Sequence, residues 1–102
     1  MSVQGNYSLG PVVLSGALQS ATVPNDGMQS CTVSVQGAIV TGTVMVYGVS
    51  ASGARLQLAS ISSTGITSYN TSGFMAVSVG TSGNWAGGTA VVYISTSQAS
   101  KP

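Results

Sequence analysis

In a chain of 102 residues only Asp26, Arg55 and Lys101 carry a charge, and there is no histidine. An ordinary soluble domain is about a quarter charged, so the acids, bases and ligands that enzymes bring together are almost wholly missing. With a net charge of +1 the chain also lacks the basic footprint of a nucleic-acid binder and the polybasic stretch that grips anionic lipid.

The length fits one domain with one modest core. Charge has been replaced by Ser, Thr, Gly, Asn and Gln, while Val, Ile, Leu, Met and Tyr recur at short intervals, which argues for a folded chain and against a disordered one. No window reads as a helix, because β-branched residues dominate the apolar set and Gly, Ser and Thr interrupt every stretch. The first thirty residues read either as an N-terminal arm or as the first strand or strands. Within them Val12-Val13-Leu14 and Ala17-Leu18 suggest one strand, opened by Pro11 where a missing N–H does no harm. Pro24-Asn25-Asp26-Gly27 is a turn signal, in which Asn and Asp make local side-chain bonds. Residues 31–96 read as the core of the domain, and 97–102 as a flexible polar tail.

In the core, Cys31-Thr32-Val33-Ser34-Val35 alternates cleanly, with Cys31, Val33 and Val35 on one face. Gly42 to Val49 is apolar on both faces, Val44 and Val46 against Met45 and Tyr47, and so reads as a central or interface strand. Ser50-Ala51-Ser52-Gly53 turns the chain into a hairpin with Arg55 to Leu58. From Ser60 to Tyr69 the pattern is ambiguous, with Ile61 and Ile66 as anchors around a turn at Thr64-Gly65. Asn70 to Gly73 is a further turn. Met75, Val77 and Val79 then share a face, Gly80 to Gly88 reads as a glycine-rich loop carrying Trp85, and Thr89 to Ser95 closes the chain. Seven or eight strands without a helix predict an all-β fold, an antiparallel β-sandwich or small barrel.

Enzyme chemistry is not expected. A triad needs a base, paired carboxylates need a second acid besides Asp26, and metal sites need clustered Cys, His, Asp or Glu. No cofactor is implied. Cys31 reads as a buried small hydrophobe, and a single cysteine fits synthesis in a reducing cytoplasm. No basic and apolar leader opens the chain, so a secretory signal is not expected, and no apolar run is long enough for a membrane-spanning helix. The candidate partner contacts are Arg55, Trp85, Tyr47 and Tyr93. Arg55 suits either a charge-assisted bond to a partner or an edge-strand charge that discourages stray pairing. Trp85 suits either a stacking platform for a sugar or interface, or a plug folded into one end of the sandwich. Tyr69, Asn70 and Trp85 together would be a sugar site.

From Thr32 onward the strands Val33-Ser34-Val35-Gln36-Gly37, Gly42-Thr43-Val44-Met45-Val46, the hairpin Ser50-Ala51-Ser52-Gly53, and Ser72 to Val79 followed by Gly87 to Ile94 make one recurring pattern. It resembles that of small bacteriophage virion proteins, although their hairpin is richer in Asp, Asn and Trp than Ser50 to Ala54. The resemblance implies a structural protein of the virion, assembled in the host cytoplasm. The expected role is capsid decoration or cement, docking on the major capsid protein, with a tail- or fibre-associated or carbohydrate-binding adhesin module as the alternative. It transfers no catalytic residue. Surplus apolar strand faces add an expectation of self-association into a homo-oligomer.

Overall fold

Turn residues cut the chain into eight strands, with no helix among the described residues, which in this computed structural model are 7–26 and 30–97. They are β1 (Tyr7–Leu14), β2 (Ser20–Pro24), β3 (Ser30–Thr41), β4 (Val44–Val49), β5 (Arg55–Ile61), β6 (Gly65–Asn70), β7 (Ala76–Thr81) and β8 (Ala86–Ser97). The chain pairs as one long ribbon folded back on itself: β1 with β8, β2 with β7, β3 with β6, and β4 with β5, all antiparallel. Further pairing of β3 with β8 and of β4 with β7 rolls that ribbon into two four-stranded sheets, β1-β8-β3-β6 and β2-β7-β4-β5. Eight strands so rolled make a jelly-roll β-sandwich. Only β4 and β5 are joined as a hairpin within one sheet; every other connection crosses between sheets.

The core lies between the sheets and is made by strict alternation. Cys31, Val33 and Val35 of β3 meet Val92 and Ile94 of β8 from one side, and Val44, Val46, Val77 and Val79 of β4 and β7 from the other. β-Branched valines dominate because they pack well on a pleated surface only one side chain deep. β4 is central in its sheet, with Val44 and Val46 buried in the core and Met45 and Tyr47 half-buried on the outer side.

Residues 7–24 contribute one strand to each sheet, and both lie on the same side of the sandwich. The single strand expected over Val12 to Leu18 is not formed. It ends at Leu14, because the Gln19 Oε1 accepts hydrogen bonds from the Ser15 and Gly16 amides at 2.8 and 3.1 Å and closes a turn. Leu18, with φ of 59°, projects from that turn into solvent. Pro11 sits inside β1, tolerated because β1 is an edge strand and its pairing with β8 skips between Leu9 and Val12.

Four further expectations need correction. Gly42 and Thr43 precede β4. Ile61 packs on the core, but Ile66 points to the outer side of β6 and is 72% exposed, so it anchors nothing within this chain. Met75 lies before β7 and is largely exposed. The glycine-rich stretch from Gly80 to Gly88 is mostly strand. Its ends belong to β7 and β8, and only residues 82–85 form the turn. The glycines there serve close approach: a Cβ at Gly80 would lie 2.8 Å from the Gln19 carbonyl oxygen, and one at Gly88 2.7 Å from that of Ala38. The turn at Pro24 to Gly27 can be followed as far as Asp26. Gly27 and most of the 97–102 tail, with Lys101, lie outside the described residues; Ser97 ends β8.

Candidate functional site

The four candidate contacts fall in three places. Tyr47 and Arg55 meet on the outer face of the second sheet, where the guanidinium carbon lies 4.4 Å from the centre of the Tyr47 ring. β4 and β5 are neighbours, and their pairing puts Val49 opposite Arg55, so Tyr47 is the next outward residue along. The ring face attracts the cation and holds a long side chain that would otherwise be loose. The Tyr47 hydroxyl is directed at the Met45 sulfur, 3.4 Å away. Beside them runs a groove of about 170 Å³, lined by Leu18, Ser20, Met45, Tyr47, Arg55 and Gly80.

Arg55 makes no ion pair with the acid of this chain. Asp26 follows β2 and Arg55 opens β5, at opposite edges of the second sheet, about 14 Å apart at ~4.8 Å per strand. Asp26 instead accepts a 2.6 Å hydrogen bond from the Tyr7 hydroxyl. That bond, and then the carboxylate charge, raise the Tyr7 pKa above its ordinary value.

Tyr93 lies on the outer face of the first sheet, and so on the other side of the molecule from Tyr47. Its ring covers Gly10: a Cβ placed there would lie 2.6 Å from the Tyr93 Cδ2. A shallow groove of about 230 Å³ runs past it, lined by Ser8, Gly10, Thr32, Ser34, Tyr93 and Ser95. Hydroxyls, backbone and the apolar parts of Leu9 and Tyr93 line it, without charge.

Trp85 is a core residue, 5% exposed, at the end of the sandwich where the chain turns from β7 to β8. Its indole N–H is buried with no hydrogen-bond partner among the described residues. Tyr69, Asn70 and Trp85 do not come together. Tyr69 pairs opposite Cys31, whereas Ala86, next to Trp85, pairs opposite Thr41. That separation along β3 is about 33 Å at ~3.3 Å per residue.

One residue that the sequence suggested only as a turn former proves to be a long-range tie. Asn25 is fully buried, and its Nδ2 donates to the carbonyls of Thr71 and Phe74 at 3.0 and 2.8 Å, while its Oδ1 accepts from the Thr71 hydroxyl at 3.1 Å. The loop after β2 is thereby fixed to the turn between β6 and β7. Its neighbours Pro24 and Asp26 gave a local turn signal that hid this. Cys31 is buried, and burial pushes its thiol pKa up to about 11. Among the described residues no group of three His, Cys, Asp or Glu is placed to hold a metal ion. Nor is any helix among them long and apolar enough to cross a membrane.

What this chain presents is therefore two broad, almost uncharged β faces on a jelly-roll sandwich. No known family model matches the sequence. No curated protein matches it either. Among solved structures, the SPBc2 prophage-derived protein YomS is similar, with a TM-score of 0.68 over 93% of this chain and 96% of that one, at 12% identity. A protein of the disulfide-linked pili of Bacillus endospore appendages overlays 95% of this chain and 88% of its own, with a TM-score of 0.49 at 14% identity. At such identities the likeness to YomS is one of fold.

Proposed function

We propose that this chain is a non-enzymatic structural protein of a phage particle. It decorates or cements the capsid by docking on the major capsid protein, and it does so as a homo-oligomer. The observation that carries the reading is the pair of outer sheet faces. The core is already complete between the sheets, yet Val13, Ile66 and Tyr93 remain exposed on the outer face of the first sheet, and Arg55 is the sole charge on either outer face among the described residues. A free surface so poor in charge is badly protected against association, so it suits a molecule whose working state is covered. Docking would rest on shape, backbone hydrogen bonds and burial of these side chains. Arg55, held over Tyr47, supplies one directed charge for a carboxylate on the partner. That a prophage-derived protein uses the same fold over nearly all of both chains supports a phage setting, and with it localisation in the virion. The burial of Trp85 and its distance from Tyr69 weigh against the sugar-binding alternative.

The reading is tested on particles purified from the phage or lysogen that carries the gene. Antibody-gold labelling should fall on the head. Label on the tail would move the protein to the tail- or fibre-associated role, and its absence from washed particles would refute a virion function.

A further inference from the structure

Four strand edges border the two sheets, and three are blocked. On β1, Pro11 lacks an N–H and the pairing with β8 is interrupted between Leu9 and Val12. β2 is short, ends in Pro24 and lies against β1. β5 carries Arg55 and an extra residue, Leu58, where its register against β4 shifts. β6 has none of these devices. It holds an unbroken six-pair register with β3, contains no proline and no charge, and is exposed along nearly its whole length. Such an edge offers a row of unpaired N–H and C=O groups to another strand.

We propose that the β6 edge is a self-pairing site, where β6 of a second copy adds antiparallel across a two-fold axis and joins the two first sheets into one of eight strands. This deepens the homo-oligomer in the proposed function and rests on that part of it. The occupant follows from elimination and from register. Among the described residues a second copy has only its own β6 to offer, since the other three edges are blocked, so the contact is isologous and closes at two copies.

Residues directly opposite in an antiparallel pair point to the same side of the sheet. Ile66 and Ser68 point outward, opposite Ser34 and Thr32, while Gly65, Thr67 and Tyr69 point inward. A two-fold axis at Thr67 preserves that partition. Thr67 faces the partner's Thr67, Ile66 faces the partner's Ser68, and Gly65 faces the partner's Tyr69. The exposed Ile66 then lies diagonal to the partner's Ile66, within side-chain reach. With no charge on β6, nothing repels across the axis.

The glycine makes the register specific. Two other strand glycines in this fold are covered by rings: Gly10 by Tyr93 and Gly48 by Phe74, where a Cβ would lie 2.6 and 2.7 Å from ring atoms. At Gly65 a Cβ would meet nothing within 4 Å. The two-fold pair sets the partner's Tyr69 opposite that open position, and an aromatic ring over a glycine is a known stabilising device in sheets.

Three proteins test this: the natural chain, Thr67→Lys and Thr67→Cys, with Ser8→Cys on the blocked β1 edge as control. Light scattering should give the natural chain a mass of twice 10.0 kDa. Thr67→Lys opposes two lysines on the axis and should halve that mass while the β-sheet circular dichroism of the folded chain is retained, because Thr67 is exposed. Under mild oxidation Thr67→Cys should form a covalent dimer at least tenfold faster than Ser8→Cys. The buried Cys31 adds no background. The pairing is overturned if Thr67→Cys cross-links no faster than the control, or if Thr67→Lys keeps the dimer mass. None of these readouts involves a particle, so this inference and capsid docking can fail separately.

Discussion

Cys31 and Trp85 show at the residue scale how a side chain's setting decides its role. With its thiol pKa pushed up to about 11 by burial, Cys31 favours the protonated folded state. In the unfolded chain an ordinary thiol loses its proton near pH 8.5. The stabilisation is therefore complete below the unfolded value and is lost as pH rises through the folded one. The stability read from urea unfolding should fall between about pH 8.5 and 11, by on the order of 3 kcal/mol. In Cys31→Ala this part of the pH dependence should vanish. Trp85 fills the end of the core, so Trp85→Ala should destabilise the fold by about 3–5 kcal/mol, seen as a lowered thermal midpoint. Trp85→Phe should cost much less, because the indole N–H it removes has no partner among the described residues. A Trp85→Ala chain that melts like the natural one would place the ring outside the core. The sequence offered both readings of Trp85. A lone aromatic among glycines has no periodicity to say which way it points, and only the turn over residues 82–85 settles it inward.

Individual strands were legible wherever alternation was clean. Cys31, Val33 and Val35, and later Val77, Val79, Val92 and Ile94, announce their inward faces by period two, and all are buried. The segment from Ser60 to Tyr69 was not legible. It contains the end of β5, a turn and all of β6, and an edge strand with a single inward-packed ring has almost no burial pattern to show. Glycine misled in a different way at Gly80 and Gly88: a residue that signals a loop also permits close strand contact. Gly48 is a strand glycine of this kind, buried in β4 under the Phe74 ring. Gly48→Ala would put a methyl group where that ring lies. It should cost about 1–3 kcal/mol by overpacking, read as a lower urea midpoint with the β-sheet circular dichroism retained. A midpoint equal to that of the natural chain would mean that the ring moves aside freely.

For the whole molecule, the sandwich was expected but its roll was not. Pairing of the first strand with the last, and of the second with the seventh, is a matter of contacts far apart in sequence. No local pattern encodes such partners, although the turns and faces that permit them are all local. The scarcity of charge was visible from composition alone. The structure adds where the charges of the described residues sit: Asp26 and Arg55 at opposite edges of the second sheet, with the outer face of the first sheet free of charge among those residues.

From that distribution comes the central claim, that this protein docks through uncharged β surfaces. The measurement that tests it most directly is rebinding of the purified chain to particles stripped of it, followed as salt is raised from about 0.05 to about 0.5 M. Over that range the screening length shortens from more than ~10 Å to a few ångström. Contacts built from shape, backbone hydrogen bonds and apolar burial, with Arg55 as the one directed charge, predict a bound fraction that stays nearly level. A steep loss of binding over the same range would mean that ion pairs hold the complex, and would contradict the account.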